Sequence, residues 1–238
     1  MNPVEVVIIN WRRGPNVEII SAALRSQSVP CTLTLIDAHE PGVNILSPEC
    51  LARFDRIIPM PHNYGCWNRM VPLGAYDHEY TMFLDDDVIP SPNMVMHYLS
   101  CAQEKRDQFA VLGLVGRRIY DGRYLKSNVL RSAHHFVPVD IMVRTYFVRT
   151  EHLHWCHFEL RRWKIELPFF DDDILMCAAI TVHTGLRSYL TPIRPNDPDI
   201  DTKWETLAQN DAVWRHDLVA PRRDKAVRLA LENGYIPI

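Results

Sequence analysis

The sequence predicts an α/β fold with a mostly parallel central sheet flanked by helices, and three observations predict it. The chain opens as strand, helix, strand. Residues 4–9 are apolar apart from Glu5, residues 15–27 carry Val17, Ile20, Ala23 and Leu24 on one helical face, and residues 32–36 form a second apolar run closed by Asp37. Such a unit needs a right-handed crossover and makes its two strands parallel. Next, Tyr80, Thr81, Met82, Phe83 and Leu84 form an unbroken apolar or β-prone run, the pattern of a strand covered on both faces. Finally, 238 residues with 47% hydrophobic and 23% charged side chains suffice for one substantial domain of this class, or two small ones.

The remaining elements follow in order. Residues 56–60 read as a short strand, 61–70 as a polar, aromatic loop, and 71–76 as a helix. Ser91 suits an N-cap with Pro92 at the first helical position, so a helix is expected to about Glu104. Residues 109–115 form another strand, and Asp121-Gly122 marks a hairpin. Residues 137–148 give one or two extended segments around Asp140, and Thr150 caps a helix over 151–160. A helix starting at the acidic run 171–173 ends near Gly185, residues 186–193 form a last strand, and 221–233 a last helix closed by Gly234. Seventeen prolines imply firm loop boundaries, and there is no internal repeat or low-complexity stretch.

Composition excludes several function classes. A net charge of -3 gives no general attraction to nucleic acid or to anionic membrane. No apolar run approaches the roughly 20 residues of a membrane span, and the start of the chain does not read as a signal peptide. The six cysteines show no paired spacing, so a reduced, cytoplasmic location is expected.

The chemistry concentrates in two acidic triplets. Asp85, Asp86 and Asp87 end the buried 80–84 strand. Three like charges repel unless something positive sits among them, and hard divalent cations choose carboxylate oxygens. In open α/β sheets ligands bind at the carboxyl ends of strands, which favours a site here over a solvated acidic turn. Asp171, Asp172 and Asp173 instead precede a helix, where acids satisfy free N–H groups and the positive dipole end. A third acid beside Phe169 and Phe170 is more than capping needs, so Asp172 and Asp173 are candidate catalytic bases. The first strand–helix junction, Asn10-Trp11-Arg12-Arg13-Gly14, lacks the glycine fingerprint of a dinucleotide-binding domain. Asp37 is placed to hold a ribose or base edge, although an ordinary strand-end Asp reads the same way. Asn63, Trp67 and Arg69 are candidates for nucleotide or diphosphate contact, with a capped loop around one buried Trp as the equal alternative. His152, His154 and His157 share a helix without an acidic partner pattern and are not read as a zinc site.

In this order the residues resemble a GT-A-type glycosyltransferase. Residues 6–11 (Val-Val-Ile-Ile-Asn-Trp) resemble the opening nucleotide-binding strand, Leu35-Ile36-Asp37 the second strand, Phe83-Leu84-Asp85-Asp86-Asp87 the DxD motif, and Asp172-Asp173-Ile174-Leu175 the acidic head of a later helix. The resemblance runs from about Val4 to His216. Two branches compete: inverting family 2-like enzymes, and the retaining exostosin-like family 64, which shares a stretch similar to Leu114-Val115-Gly116-Arg117-Arg118. The size is similar to compact stand-alone domains of viral type. Family 2's acceptor-site element is absent in its usual form, and Leu160-Arg161-Arg162-Trp163 is only a partial echo.

The resemblance implies one GT-A domain over 1–238, with a nucleotide-binding half at 1–116, and an acceptor-binding half at 117–238 containing a small antiparallel sheet. It implies a nucleoside-diphosphate sugar donor, UDP by default, a glycan acceptor, and Mn²⁺ or Mg²⁺. Asp87 and Asp85 would hold the metal with His216 as a third ligand. Asn10, Trp11, Arg12, Asp37, Asn63, Trp67, Arg69, Asp85, Asp86 and Arg117 would surround the donor. Asp173 or Asp172 would deprotonate the acceptor in an inverting reaction, or position it in a retaining one. A loop over 197–201 would close as a lid. A sugar-nucleotide nucleotidyltransferase and a non-catalytic nucleotide-sugar-binding module are the alternatives.

Overall fold

The structure, a computed structural model, describes residues 3–39, 42, 45–131, 134–165, 171–193 and 219–238. Its strands are β1 (Val4–Asn10), β2 (Thr32–Asp37), β3 (Arg56–Pro59), β4 (Tyr80–Leu84), β5 (Leu112–Gly113), β6 (Val115–Tyr120), β7 (Arg123–Arg131), β8 (Val137–Val139), β9 (Ile141–Val143), β10 (Thr145–Arg149) and β11 (Ser188–Leu190). Its helices are α1 (Gly14–Arg25), α2 (Pro48–Leu51), α3 (Met94–Glu104), α4 (Thr150–Arg162), α5 (Asp172–Thr184) and α6 (Val219–Glu232).

Strands β3-β2-β1-β4-β10-β5-β11-β8 form the large sheet, and β7-β6-β9 a small antiparallel one. β1 lies parallel to both β2 and β4, with Ile8 opposite Leu35 on one side and Leu84 on the other. Strand order therefore reverses at β1, and a crevice opens between the carboxyl ends of β1 and β4. β10 runs antiparallel against β4.

Alternation along β1 divides the core into two. Val4, Val6 and Ile8 pack with Val17, Ile20 and Leu24 of α1 and with Met94, Val95 and Tyr98 of α3. Val7 faces the opposite layer, which holds Leu153 and Leu160 of α4, Ile174 to Ile180 of α5, and Ala226 and Val227 of α6. Each fully buried aliphatic side chain contributes about 1.5–3 kcal/mol. Phe147 of β10 anchors the first layer, stacked on Tyr80 at 5.0 Å and on Tyr98 at 5.2 Å between ring centroids.

Several boundaries differ from expectation. The 109–115 strand divides into β5 in the large sheet and β6 in the small one, because the chain changes sheets at Leu114. Close packing on either side of the change leaves no room for a side chain: a Cβ on Gly113 would lie 2.8 Å from the Thr145 carbonyl oxygen, and one on Gly116 2.9 Å from the Ile141 carbonyl oxygen. Residues 137–148 form parts of three strands, turning at buried Asp140, which accepts from the Ile119 N–H at 2.8 Å and the Tyr235 hydroxyl at 2.8 Å. Ser91-Pro92 forms a turn before α3, which begins at Met94. Thr150 is not the cap of α4: Arg149 holds that position, and the Thr150 hydroxyl pairs with Thr81 Oγ1 at 2.8 Å. The expected 71–76 helix reduces to a 3₁₀ turn, Leu73–Ala75, after another at Gly65–Arg69. β11 occupies only Ser188–Leu190 of the expected 186–193 strand. α2, capped by Ser47 accepting from the Cys50 N–H at 3.1 Å, had no counterpart in the sequence reading. The Asp121-Gly122 hairpin is present with φ values of 49° and 66°, both in the left-handed region a tight β-turn requires.

Candidate active site

The first acidic triplet sits where β4 leaves the sheet beside the start of α1. Asp86 is turned back onto α1. Its Oδ1 accepts from Arg13 Nη1 at 2.7 Å, and its carbonyl accepts from Asn16 Nδ2 at 2.9 Å. Burial pushes the Asp86 carboxyl up to about 7, with Arg13 opposing and its neighbours Asp85 and Asp87 adding to the shift. Asp87 is also buried, with Arg13 Nη1 3.6 Å from its Oδ2. Its Oδ1 is buried without a hydrogen-bond partner among the described residues. Burial first, then the Asp85 charge, raise the Asp87 carboxyl, and Arg144 and Arg13 oppose this. Arg144 joins β9 to β10 with φ 72°, and its carbonyl accepts from the Asp85 N–H at 2.9 Å.

The second triplet heads α5. Asp171 is the cap residue, Asp172 and Asp173 fill the first turn, and Gly185 ends the helix with φ 74°. Asp171 Oδ1 accepts from Arg223 Nε of α6 at 3.3 Å. Burial pushes both Asp171 and Asp172 up to about 7, with Arg223 and Arg69 respectively opposing and the adjacent acids reinforcing. Asp173 Oδ1 accepts from the Ile174 N–H at 2.9 Å.

Arg69 joins the two triplets. Its Nη2 donates to Asp85 Oδ1 at 2.9 Å, and its Nε lies 3.0 Å from Asp172 Oδ2. Its guanidinium lies over the Tyr146 ring at 5.0 Å. Burial works against the Arg69 charge, but Asp172 and Asp85 more than reverse that and hold its pKa above the ordinary arginine value. Tyr146 is raised by burial and by both Asp85 and Asp173, so it senses each triplet.

The other predicted residues divide into four groups. Asn10 and Asp37 meet at the ends of β1 and β2, Asn10 Nδ2 donating to Asp37 Oδ1 at 3.0 Å, and His39 Nδ1 lies 2.6 Å from that same oxygen. Trp11 and Arg12 stand in the same crevice wall, the Arg12 guanidinium 4.4 Å from the Trp11 ring centroid. Arg117 lies on the α5 side, over the Tyr124 ring at 5.0 Å, with Arg223 over that ring at 4.5 Å. Two residues serve the scaffold instead. Trp67 is 1% exposed and belongs to the core, which leaves no face for a nucleotide. Asn63 Oδ1 holds its own loop, accepting from the Gly65 N–H at 2.8 Å and Asn68 Nδ2 at 2.9 Å. His216, the 197–201 lid, Phe169 and Phe170 lie outside the described residues. Arg13, Asn16, Arg144, Tyr124, Tyr146 and Arg223 escaped the sequence reading. Of these only Arg13 carried a local signal, sitting beside Gly14-Pro15 at a helix start.

The donor set suits a hard divalent cation. Asp87 presents an unpartnered buried carboxylate oxygen, and Asp85 beside it is partly exposed at 29%. Both carboxylates offer hard oxygen ligands. Asp86 does not join them, because Arg13 and Asn16 face it the other way.

No family model and no curated protein sequence matches the chain. Solved structures do match. S. aureus TarS aligns with a TM-score of 0.53 at 14% identity, over 81% of this chain and 37% of that one. TarS 1-349 in complex with UDP gives 0.53 at 15%, over 81% and 61%. The mannosyltransferase PcManGT from Pyrobaculum calidifontis, in complex with GDP-Man and Mn²⁺, gives 0.53 at 13%, over 80% and 55%. The mixed α/β architecture is thus a glycosyltransferase fold. The chain spans between 37% and 61% of the lengths of those three proteins.

Proposed function

We propose that this chain is a divalent-cation-dependent glycosyltransferase. It moves a sugar, of the hexosyl or deoxyhexosyl class, from a nucleoside-diphosphate sugar to a hydroxyl of a glycan or similar acceptor. The observation that carries the reading is the junction of the two acidic triplets through Arg69, at the crevice where strand order reverses. Matching structures hold UDP, UDP-GlcNAc, or GDP-Man with Mn²⁺, which supports a nucleotide-sugar donor and makes UDP the first base to test.

In this reading Asp87 and Asp85 hold the cation, and Arg13 and Arg144 moderate the charge around them. When bound, Mn²⁺ or Mg²⁺ supplies positive charge against the diphosphate as it departs. Asp86 contributes no ligand and fixes the turn to α1. Asn10, Asp37, Trp11 and Arg12 present the nucleoside wall. Asp173 accepts the acceptor hydroxyl's proton: Asp172 is tied to Arg69 and Asp171 to Arg223, an arginine whose charge Asp173 also supports. Arg69 fixes the separation between the donor and acceptor carboxylates. No helix among the described residues is long and apolar enough to cross a membrane.

The test is release of nucleoside diphosphate from UDP-GlcNAc, other UDP-sugars and GDP-mannose with Mn²⁺. Turnover that requires the cation and disappears in Asp87→Asn supports the assignment. Silence with every donor, together with no stabilisation by UDP or GDP plus Mn²⁺, overturns it.

A further inference from the structure

At the opposite end of β1 from the acidic crevice, three ligand-type side chains converge. Glu5 lies in the sheet at 0% exposure, five residues and so about 17 Å along the strand from Asn10. His78 and Asp77 come from the turn that feeds β4. One ligand atom from each of Glu5, Asp77 and His78 falls within 4.8 Å of the others, the only such group among the described residues.

Arg56 and His78 each approach both carboxylates, yet two ligand-type atoms of the cluster make no hydrogen bond among the described residues. Glu5 Oε1 is engaged by the Thr34 hydroxyl and by Arg56 Nη1 at 3.4 Å. Among the described residues, Glu5 Oε2 is buried without a hydrogen bond, and so is His78 Nδ1. The two face each other at 3.5 Å, and Nδ1 lies 3.0 Å from Asp77 Oδ1. Those separations bracket the edge of a tetrahedral shell, about 3.3 Å for ligands roughly 2.0 Å from a metal. His78 Nε2 lies 2.9 Å from Thr32 Oγ1. In the tautomer that donates from Nε2 to that hydroxyl, the Nδ1 lone pair points at the two carboxylates, as a ligating histidine held by an outer hydrogen bond does. Arg56 Nη2 stands 3.6 Å from Asp77 Oδ1, so the cluster's two carboxylates are met by one arginine.

We propose that Glu5 Oε2, Asp77 Oδ1 and His78 Nδ1 form a second divalent-metal site of structural character. The mixed nitrogen and oxygen donors suit Zn²⁺ over Mg²⁺ or Ca²⁺, whose shells are built of oxygen. The site ties the start of β1 to the turn before β4, the two strands that frame the crevice.

Untagged protein is stripped with EDTA and titrated with Zn²⁺ alone, following binding by a competing chromogenic indicator and stability by thermal melting. The double variant Asp85→Asn/Asp87→Asn removes the other acidic site and serves as the reference. The reference is expected to bind one Zn²⁺ and to melt higher when loaded, and Asp77→Asn in that background to weaken Zn²⁺ by roughly tenfold or more. Asp77 is 71% exposed, so this substitution leaves the fold intact even if His78→Gln does not. A reference protein that binds no Zn²⁺, or an Asp77→Asn variant that binds it undiminished, overturns the site. Neither result touches the sugar-transfer reading, which is measured by nucleotide release.

Discussion

The chain contains the same tripeptide, Asp-Asp-Asp, twice, and the two copies meet different fates. At 85–87 it follows a strand, and the middle residue is paired with Arg13 while the last, Asp87, keeps a buried carboxylate oxygen without a partner among the described residues. At 171–173 it starts a helix, and the contacts differ by residue: Arg223 bonds Asp171 and also feels Asp173, Arg69 pairs with Asp172, and the Ile174 N–H donates to Asp173. Identical carboxylates are thus assigned different work by the element boundary and by which arginine reaches them.

That contrast can be broken by substitution, and the largest effect belongs to the strand copy. Asp87→Asn is expected to lower kcat/KM for sugar transfer by about 10³-fold or more, roughly 4 kcal/mol, and to abolish the Mn²⁺-dependent stabilisation by nucleoside diphosphate. Next is the shared residue. Arg69→Met leaves Asp85 and Asp172 without their buried cation and should cost about 3–5 kcal/mol of stability, read as a lower denaturation midpoint. Unchanged stability would mean that the two triplets are not coupled through Arg69. On the helix copy, Asp173→Asn should lower kcat by about 10²-fold or more while nucleotide-dependent stabilisation persists, a separation that Asp87→Asn must not show. The smallest effect is Asp86→Asn. An amide oxygen can still accept from Arg13, so activity should stay within about fivefold of the wild type. A collapse comparable to Asp87→Asn would make Asp86 a cation ligand after all.

The sheet was legible where periodicity is unambiguous. β2 and β4 are runs of apolar or β-prone residues and β1 is one apart from Glu5, and a strand covered on both faces leaves little other interpretation. Legibility failed where the chain changes sheets, at Leu114 and around Asp140, because a sheet change is decided by long-range packing and leaves the local pattern unaltered. The same holds for the site. Both triplets stand out in the sequence, but Arg69 read as a phosphate hand because nothing nearby reveals that Asp172 will reach it. Trp67 was ambiguous for a related reason: an aromatic in a polar loop looks alike whether it turns into the core or toward a ligand. Arg223 and Tyr124, which surround the helix copy from α6 and β7, carried no signal at all.

The Arg69 bridge also has a consequence for synthesis. Asp172 lies about a hundred residues downstream of Arg69, which at ribosomal speeds of roughly 5–20 residues per second is a delay of about 5–20 s. During that interval Asp85 is the only one of its two carboxylate partners yet made. The emerging first half therefore carries Arg69 paired with Asp85 alone, and the second carboxylate, which the same guanidinium shares, reaches the crevice only when α5 arrives.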